Sequence, residues 1–355
     1  MAKNKQDWAI IVGIQVYPDP AFIDLGGPEN DARSFRKWLI SPKGGNIWAE
    51  NVSLILSSNY LQPFANTRKA KPTAKRIKDE FKKLKAISDE NKSLGKGRKI
   101  GRRLYLYFAG HGCAPLNPTS DEALLLTANA SSTSLGENIP GKSYADFHLW
   151  GTYFDEVVLF MDCCREVLHQ APFLPLEIRA GNINEALAGR IFYGFATKWS
   201  LKAREKPFNG QVQGLFTTVL LDGLWGAAAN PQDGRVTVRS LKNYIYNTWK
   251  SYLTPEELAQ EPDLRFLPDN EAVEEAFVFA TVPVPTFPVS IEFPMELQGK
   301  EVVIRNHDFQ VVHHTIITAE PWRVELKKGK YLLDPEEGQS FPFDVIGIGE
   351  KHVRF

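Results

Sequence analysis

The strongest limit on how this chain can fold is a series of strand-length apolar runs, each followed by a stretch with helical spacing. WAIIVGI from Trp8 is one such run, and NVSLILS from Asn51, LYLYFAGHGC from Leu104, EVVLFMD from Glu156 and RIFYGFAT from Arg190 are the others. Between the first two, GPENDARSFRKWLI places Ala32, Phe35, Trp38 and Leu39 at helical spacing, with Pro28 suited to a first helical turn. The spacing predicts a second helix over Thr73 to Ile87. Two more amphipathic helices are expected in GLFTTVLLDGLWGAA and TVRSLKNYIYNTWKSYL. Alternation of this kind implies an α/β domain, a mostly parallel sheet covered by helices.

The pattern changes at TVPVPTFP, Thr281 to Pro288, where prolines remove backbone donors and favour extended chain. Residues 1–281 are therefore expected to form the α/β domain and 282–288 a proline-rich linker. Residues 289–355, with short alternating strands such as KEVVIRN and WRVELKKGKYLLD, are expected to form a small antiparallel, Ig-like β-sandwich without helices.

Lys plus Arg and Asp plus Glu both number 42, so bulk charge gives no reason to expect a nucleic acid or a membrane surface as partner. The basic run from Lys69 to Lys99 is interleaved with acids and reads as a solvated helix face followed by a polar loop. The apolar runs are far short of a membrane span, and the start has no signal-peptide core. A soluble, cytoplasmic protein is expected. Three cysteines, Cys113, Cys163 and Cys164, make no disulfide scaffold and leave buried or reactive thiols.

Chemistry concentrates where two of the strands end. One delivers Gly-His-Gly, with His111 at its centre, and another ends in Asp162-Cys163-Cys164. In an open parallel sheet the groups beyond the carboxyl ends of strands converge on one edge, so His111 and Cys164 could meet there. An imidazole beside a thiol raises its reactive fraction and can return a proton to a leaving amine. Gly112 lets its N–H approach a substrate, and with the N–H of Cys164 it could cradle an oxyanion. Zinc is the other use of such residues, but there is no C-x-x-C spacing and no obvious fourth ligand.

These residues resemble the caspase-like cysteine peptidases, especially the metacaspase and bacterial branches. Caspases carry their nucleophile in Q-A-C-x-G with the histidine about 50 residues upstream. This chain has D-C-C-R, with its histidine at a similar distance. Blocks from Trp8 to about Ala280 follow the family in order: AIIVGIQVYPDPAFIDLGGPENDARSF, LYFAGHG, VVLFMDCC, FYGFATKWSLKAREKP and GLFTTVLLDGL. The resemblance implies a thiol endopeptidase in which Cys164 is the nucleophile, His111 moves the proton, and the amides of Gly112 and Cys164 hold the oxyanion. Cys163 and Cys113 are then packing residues.

The same resemblance implies specificity. Asp162 stands where Asp-specific caspases carry Gln, and Asp31 falls on a position that is acidic in the Arg/Lys-specific branch. Two carboxylates would favour cleavage after Arg, then Lys. Ala109 stands where metacaspases often carry a pocket serine, and Trp199 lies in a loop that shapes substrate binding. Arg165, Arg179 and Arg190 fall in the segment where caspases are cut during maturation. No cofactor is expected, although some metacaspases depend on calcium. Partners would be a protein substrate with a basic residue before the scissile bond and a regulatory protein docking on the C-terminal sandwich, in a setting such as antiviral defence or cell death. The rival reading is a catalytically silent caspase-fold adaptor.

Overall fold

In the computed structural model, residues 2–115, 121–166, 183–198, 200–208, 210–254, 260–306, 309–336, 339–345 and 350–355 are described. The chain divides into two compact units, Met1–Ala228 with Val236–Ala280, and Ala229–Arg235 with Thr281–Phe355. In chain order the elements begin with β1 (Asp7–Gly13), α1 (Pro28–Ile40), β2 (Val52–Leu56), α2 (Ala74–Ser93) and β3 (Gly101–Ala109). Short strands β4 (Gly112–Cys113), β5 (Leu124–Leu126) and β6 (Asn138–Pro140) precede α3 (Gly141–Trp150) and β7 (Phe154–Asp162). Then come α4 (Ile183–Ala188), β8 (Arg190–Phe195), β9 (Glu205–Phe208), β10 (Gln211–Gly214) and α5 (Leu215–Asp222). β11 (Arg235–Thr237), α6 (Val238–Thr248), β12 (Asp263–Leu267), α7 (Glu271–Ala276) and β13 (Val278–Thr281) complete the α/β part.

The central sheet has the order β12-β8-β7-β3-β1-β2, parallel throughout except for the antiparallel edge strand β12. The apolar runs explain this placement, since β3 and β7 are buried along nearly their whole length and lie at the centre. α1 presents Ala32, Phe35, Trp38 and Leu39 to the core, all fully buried. Burying side chains of this size contributes roughly 1.5–3 kcal/mol each. Thr73 caps α2 by accepting the Arg76 N–H, and the helix runs to Ser93, beyond the expected end at Ile87.

Two features of register position the site. Ala109 at the end of β3 lies opposite Asp162 at the end of β7, so the strands that lead to His111 and Cys164 end level with each other. Strand order also reverses beside β1, with β2 on one flank and β3 on the other, which opens a crevice at the carboxyl edge. α1 closes on that edge because Gly13 has no side chain. A Cβ there would lie 2.5 Å from the Pro28 carbonyl oxygen.

In the second unit, β14 (Thr286–Glu292), β15 (Glu301–Asn306), β16 (Val311–Ile316), β17 (Trp322–Lys327), β18 (Gly329–Pro335), β19 (Phe341–Val345) and β20 (Lys351–Arg354) form two sheets, β17-β14-β20 and β16-β15-β18-β19. Val289, Ile291, Val302, Ile304, Leu333 and Phe343 share one core between them. Three details differ from expectation. β14 begins at Thr286, so the segment 282–288 is only partly a linker; Thr286 pairs with Lys327, and Pro288 sits in the strand opposite Glu325. β14 and β20 are parallel, and a 3₁₀ turn occupies Met295–Leu297. Among the described residues no helix is long and apolar enough to cross a membrane.

Candidate active site

His111 and Cys164 line one cavity of about 580 Å³ at the carboxyl edge of the sheet, together with Asp31, Asp162, Glu205, Gly112 and Gly214. The imidazole is held on several sides. Its backbone N–H donates to the Tyr17 hydroxyl (3.0 Å), and the rings of Tyr17 and Phe22 lie 4.7 and 5.4 Å from its own, centroid to centroid. Nε2 lies 2.8 Å from the Ile23 carbonyl oxygen. A carbonyl only accepts, so Nε2 carries the hydrogen and the neutral ring keeps its lone pair on Nδ1. Burial lowers the His111 pKa, opposed by the Ile23 carbonyl and the charges of Glu205 and Asp24.

The sulfur of Cys164 is engaged by a backbone group and not by the imidazole. The Ala203 N–H donates to Sγ at 3.3 Å, and the thiol approaches the Ala203 carbonyl at 3.9 Å. Burial pushes the thiol pKa up to about 11, against the Ala203 hydrogen bond, which lowers it. Thiol and imidazole are both neutral in this resting arrangement at pH 7. Cys163 and Cys113 are buried. Their pKa values are raised, mainly by burial, that of Cys113 to about 12.

Gly112 is where a side chain would not fit, because a Cβ would sit 2.7 Å from Cys163 Sγ and from the Cys164 carbonyl. The Leu126 N–H donates to the His111 carbonyl (2.9 Å), so the facing residues Gly112 and Leu125 exchange no ladder bonds with each other. The Gly112 N–H therefore points away from β5.

Three carboxylates also line the cavity. Asp162 accepts from the Thr217 N–H (3.1 Å) and hydroxyl (2.6 Å), and Asp31 accepts the Gly214 N–H (2.8 Å). Asp31 Oδ1 is buried with no partner. Glu205 accepts the N–H groups of Gly26 (3.0 Å) and Gly27 (3.1 Å), which ties β9 to the start of α1. Gly214 separates the acids, since a Cβ there would lie 2.1 Å from Asp162 Oδ2 and 2.9 Å from Asp31 Oδ2. Burial, then repulsion by Asp162, raises the pKa of Asp31 well above the carboxylate range. Burial raises that of Asp162 to about 6 against its Thr217 hydrogen bonds. Among the described residues no Lys or Arg pairs with these three acids. Lys202, which also lines the cavity, turns to Glu166 (3.4 Å).

A sequence profile of the caspase domain matches residues 6–264. The chain belongs to the caspase-domain family. It is also similar to a probable protease from a Desulfuromonadales bacterium, 27% identical over 223 residues; the match covers 62% of this chain but only 26% of that protein. Among solved structures, a Geobacter sulfurreducens protein is similar over 79% of this chain and 98% of its own, at 14% identity and a TM-score of 0.43. Caspase-1 from Spodoptera frugiperda is similar over 75% and 88%, at 10% identity and a TM-score of 0.42. The chain has a caspase domain, followed by small extra sheets.

Several expectations about the caspase-domain site change in the structure. Ala109 is buried in β3, where its carbonyl accepts the Ile14 N–H (2.9 Å), and it does not line the cavity. Arg165 is not an exposed cleavage site: it is buried, bonded to Asp263 (3.0 Å) and to the Asp121 carbonyl (3.0 Å), over the Phe195 ring. Arg190 is held in β8 by Glu156 (2.5 Å). Trp199 and Arg179 lie outside the described residues. No group of three or more His, Cys, Asp or Glu among the described residues is arranged to hold a metal ion. Sequence reasoning missed Glu205, the Ile23 carbonyl and Ala203. Only Glu205 carried a residue-type signal, as an acid in a loop already placed near the substrate.

Proposed function

We propose that the protein is a cysteine endopeptidase that cleaves after Arg, and more slowly after Lys. The observation that supports this reading is a single cavity lined by His111, Cys164 and three carboxylates that no Lys or Arg among the described residues pairs with, although Lys202 and Arg204 line it too. A guanidinium entering it would supply the missing positive charge and five donors to acceptors already in place, including the unpartnered Asp31 Oδ1.

The chemistry follows from the resting protonation states. Cys164 Sγ adds to the peptide carbonyl while its proton passes to His111, whose Ile23-held Nε2–H leaves Nδ1 as the acceptor. Because the thiol is neutral at rest, proton transfer accompanies attack. Ala203 must release the sulfur first. The tetrahedral oxyanion forms against the Gly112 and Cys164 amides. His111 then protonates the leaving amine, the C–N bond breaks, and water hydrolyses the thioester with His111 as base. The C-terminal unit is proposed as the docking site for a regulatory protein.

The test is release of a fluorophore from arginyl, lysyl and aspartyl peptides by the full chain and by its Cys164→Ala and His111→Ala forms. The reading predicts turnover of the arginyl substrate, less of the lysyl and none of the aspartyl, with both variants silent. Undiminished turnover by Cys164→Ala would refute it.

A further inference from the structure

We propose, resting on the peptidase reading above, that the wall of the cavity around His111 is a subsite for an apolar side chain, that of the residue following the scissile bond. The lining is chemically divided. Asp31, Asp162 and Glu205 supply its charge, bonded to Gly214, Thr217 and the start of α1, whereas Phe22, Ile23, Leu126 and Leu135 are its apolar part, and three of these contact residue His111. The cavity has the volume of a site for a small ligand and exceeds the needs of one side chain.

The apolar wall belongs to the imidazole. The Phe22 ring packs on it, the Ile23 carbonyl holds its Nε2, and the Leu126 N–H donates to its backbone carbonyl. The Tyr17 hydroxyl closes this unit by donating to the Leu126 carbonyl (3.1 Å) while accepting the His111 N–H. The loop that carries Phe22 and Ile23 is fixed in turn. Asp19 accepts the Ala21 N–H (2.8 Å) and the Ser132 N–H (3.2 Å), and Asp24 accepts the Tyr17 N–H (3.0 Å).

Direction comes from the reaction. His111 delivers its proton to the leaving nitrogen, so the leaving residue must lie on the flank of the imidazole. The residue that donates the acyl group places its side chain among the acids. The side chain on the leaving residue therefore meets the apolar wall. Ile23 leaves its side chain 74% exposed at this point, an apolar surface that an occupant would cover. The charged groups on the same loop are Asp19 and Asp24, both acidic, and they disfavour an acidic occupant.

The experiment uses the full chain with quenched-fluorescence peptides that carry Arg before the bond and Leu, Gly or Asp after it, beside an arginyl aminocoumarin with no following residue. The expected kcat/KM is about tenfold higher for Leu than for Gly, with Asp lowest. Ile23→Ser keeps the backbone carbonyl and is expected to bring the Leu-to-Gly ratio close to one. Equal rates for all three peptides, with the aminocoumarin still cleaved, would overturn the subsite and leave the Arg-directed peptidase standing. A Leu-to-Gly ratio unmoved by Ile23→Ser would also take the subsite away from this wall. No turnover of any substrate would remove the peptidase reading and the subsite with it.

Discussion

The two ends of the central sheet both bury carboxylates, and they treat them in opposite ways. At the amino end, Glu156 receives Arg102 (2.9 Å), Arg103 (2.6 Å) and Arg190 (2.5 Å), and Arg102 also reaches Asp7. Arg103 is fully buried and lies over the Phe277 ring, 4.0 Å from its centroid. At the carboxyl end, the partners of Asp31, Asp162 and Glu205 among the described residues are backbone N–H groups and Thr217. A buried charge with its counter-ion in place is part of the fold, whereas a cluster of one sign without a counter-ion lowers stability unless a ligand completes it. On the proposed reading, the contrast separates acids that serve structure from acids kept for substrate.

The largest expected effect that could break this contrast is at the carboxyl end. Asp31→Asn with Asp162→Asn is expected to lower kcat/KM on an arginyl peptide about 1000-fold, the loss of two charge-assisted contacts. Steady-state rates read it, and a drop below tenfold would mean these acids do not bind the side chain. At the amino end, Glu156→Gln strands the buried Arg103 guanidinium and is expected to cost about 3 kcal/mol of stability. Denaturant unfolding measures that loss, and kcat/KM per folded molecule should stay within about twofold, because no catalytic group is touched.

Smaller effects sharpen the comparison through pH. The pocket must be charged to hold a guanidinium, and burial places the Asp162 pKa at about 6. kcat/KM on arginyl substrates should therefore fall about tenfold per pH unit below that value. A lysyl-to-arginyl ratio that stays constant while both rates fall together would fit this limb. An acid limb that survives unchanged in Asp162→Asn would assign it elsewhere. Stability carries the opposite sign. Asp31 and Asp162 hold protons more tightly in the folded protein than in the unfolded chain, so their contribution falls as pH rises above about 4, that of Asp162 through about 6. Asp31→Asn should therefore leave stability at pH 7 unchanged or raise it by about 1 kcal/mol, while activity drops. A clear fall in Tm would place Asp31 with the structural acids.

How much of this was legible in the sequence depends on whether residue type or backbone does the work. The strands could be read because burial on both faces demands continuous apolar runs, as in β3 and β7. His111, Cys164, Asp31 and Asp162 could be singled out because the proposed chemistry needs their side chains. The Ile23 carbonyl and the Ala203 amide could not, since any residue supplies them. Glu205 reaches Gly26 across 179 positions of chain, a distance no local pattern reports. Arg165 and Arg190 looked like accessible loop cations, yet both are bound to acids, Arg190 to Glu156 within the sheet and Arg165 to Asp263 on the edge strand. Proline content alone suggested a linker at 282–288, although a proline can also lie within a strand, as Pro288 does opposite Glu325 in β14.

The most direct test of the central claim is mass spectrometry of the full chain after reaction with an arginyl chloromethylketone peptide and, separately, its aspartyl counterpart. The account predicts one adduct, on Cys164, with the arginyl probe, little with the aspartyl probe, and none in His111→Ala on the same timescale. Equal labelling by both probes, or alkylation of Cys113 or Cys163 in place of Cys164, would contradict it.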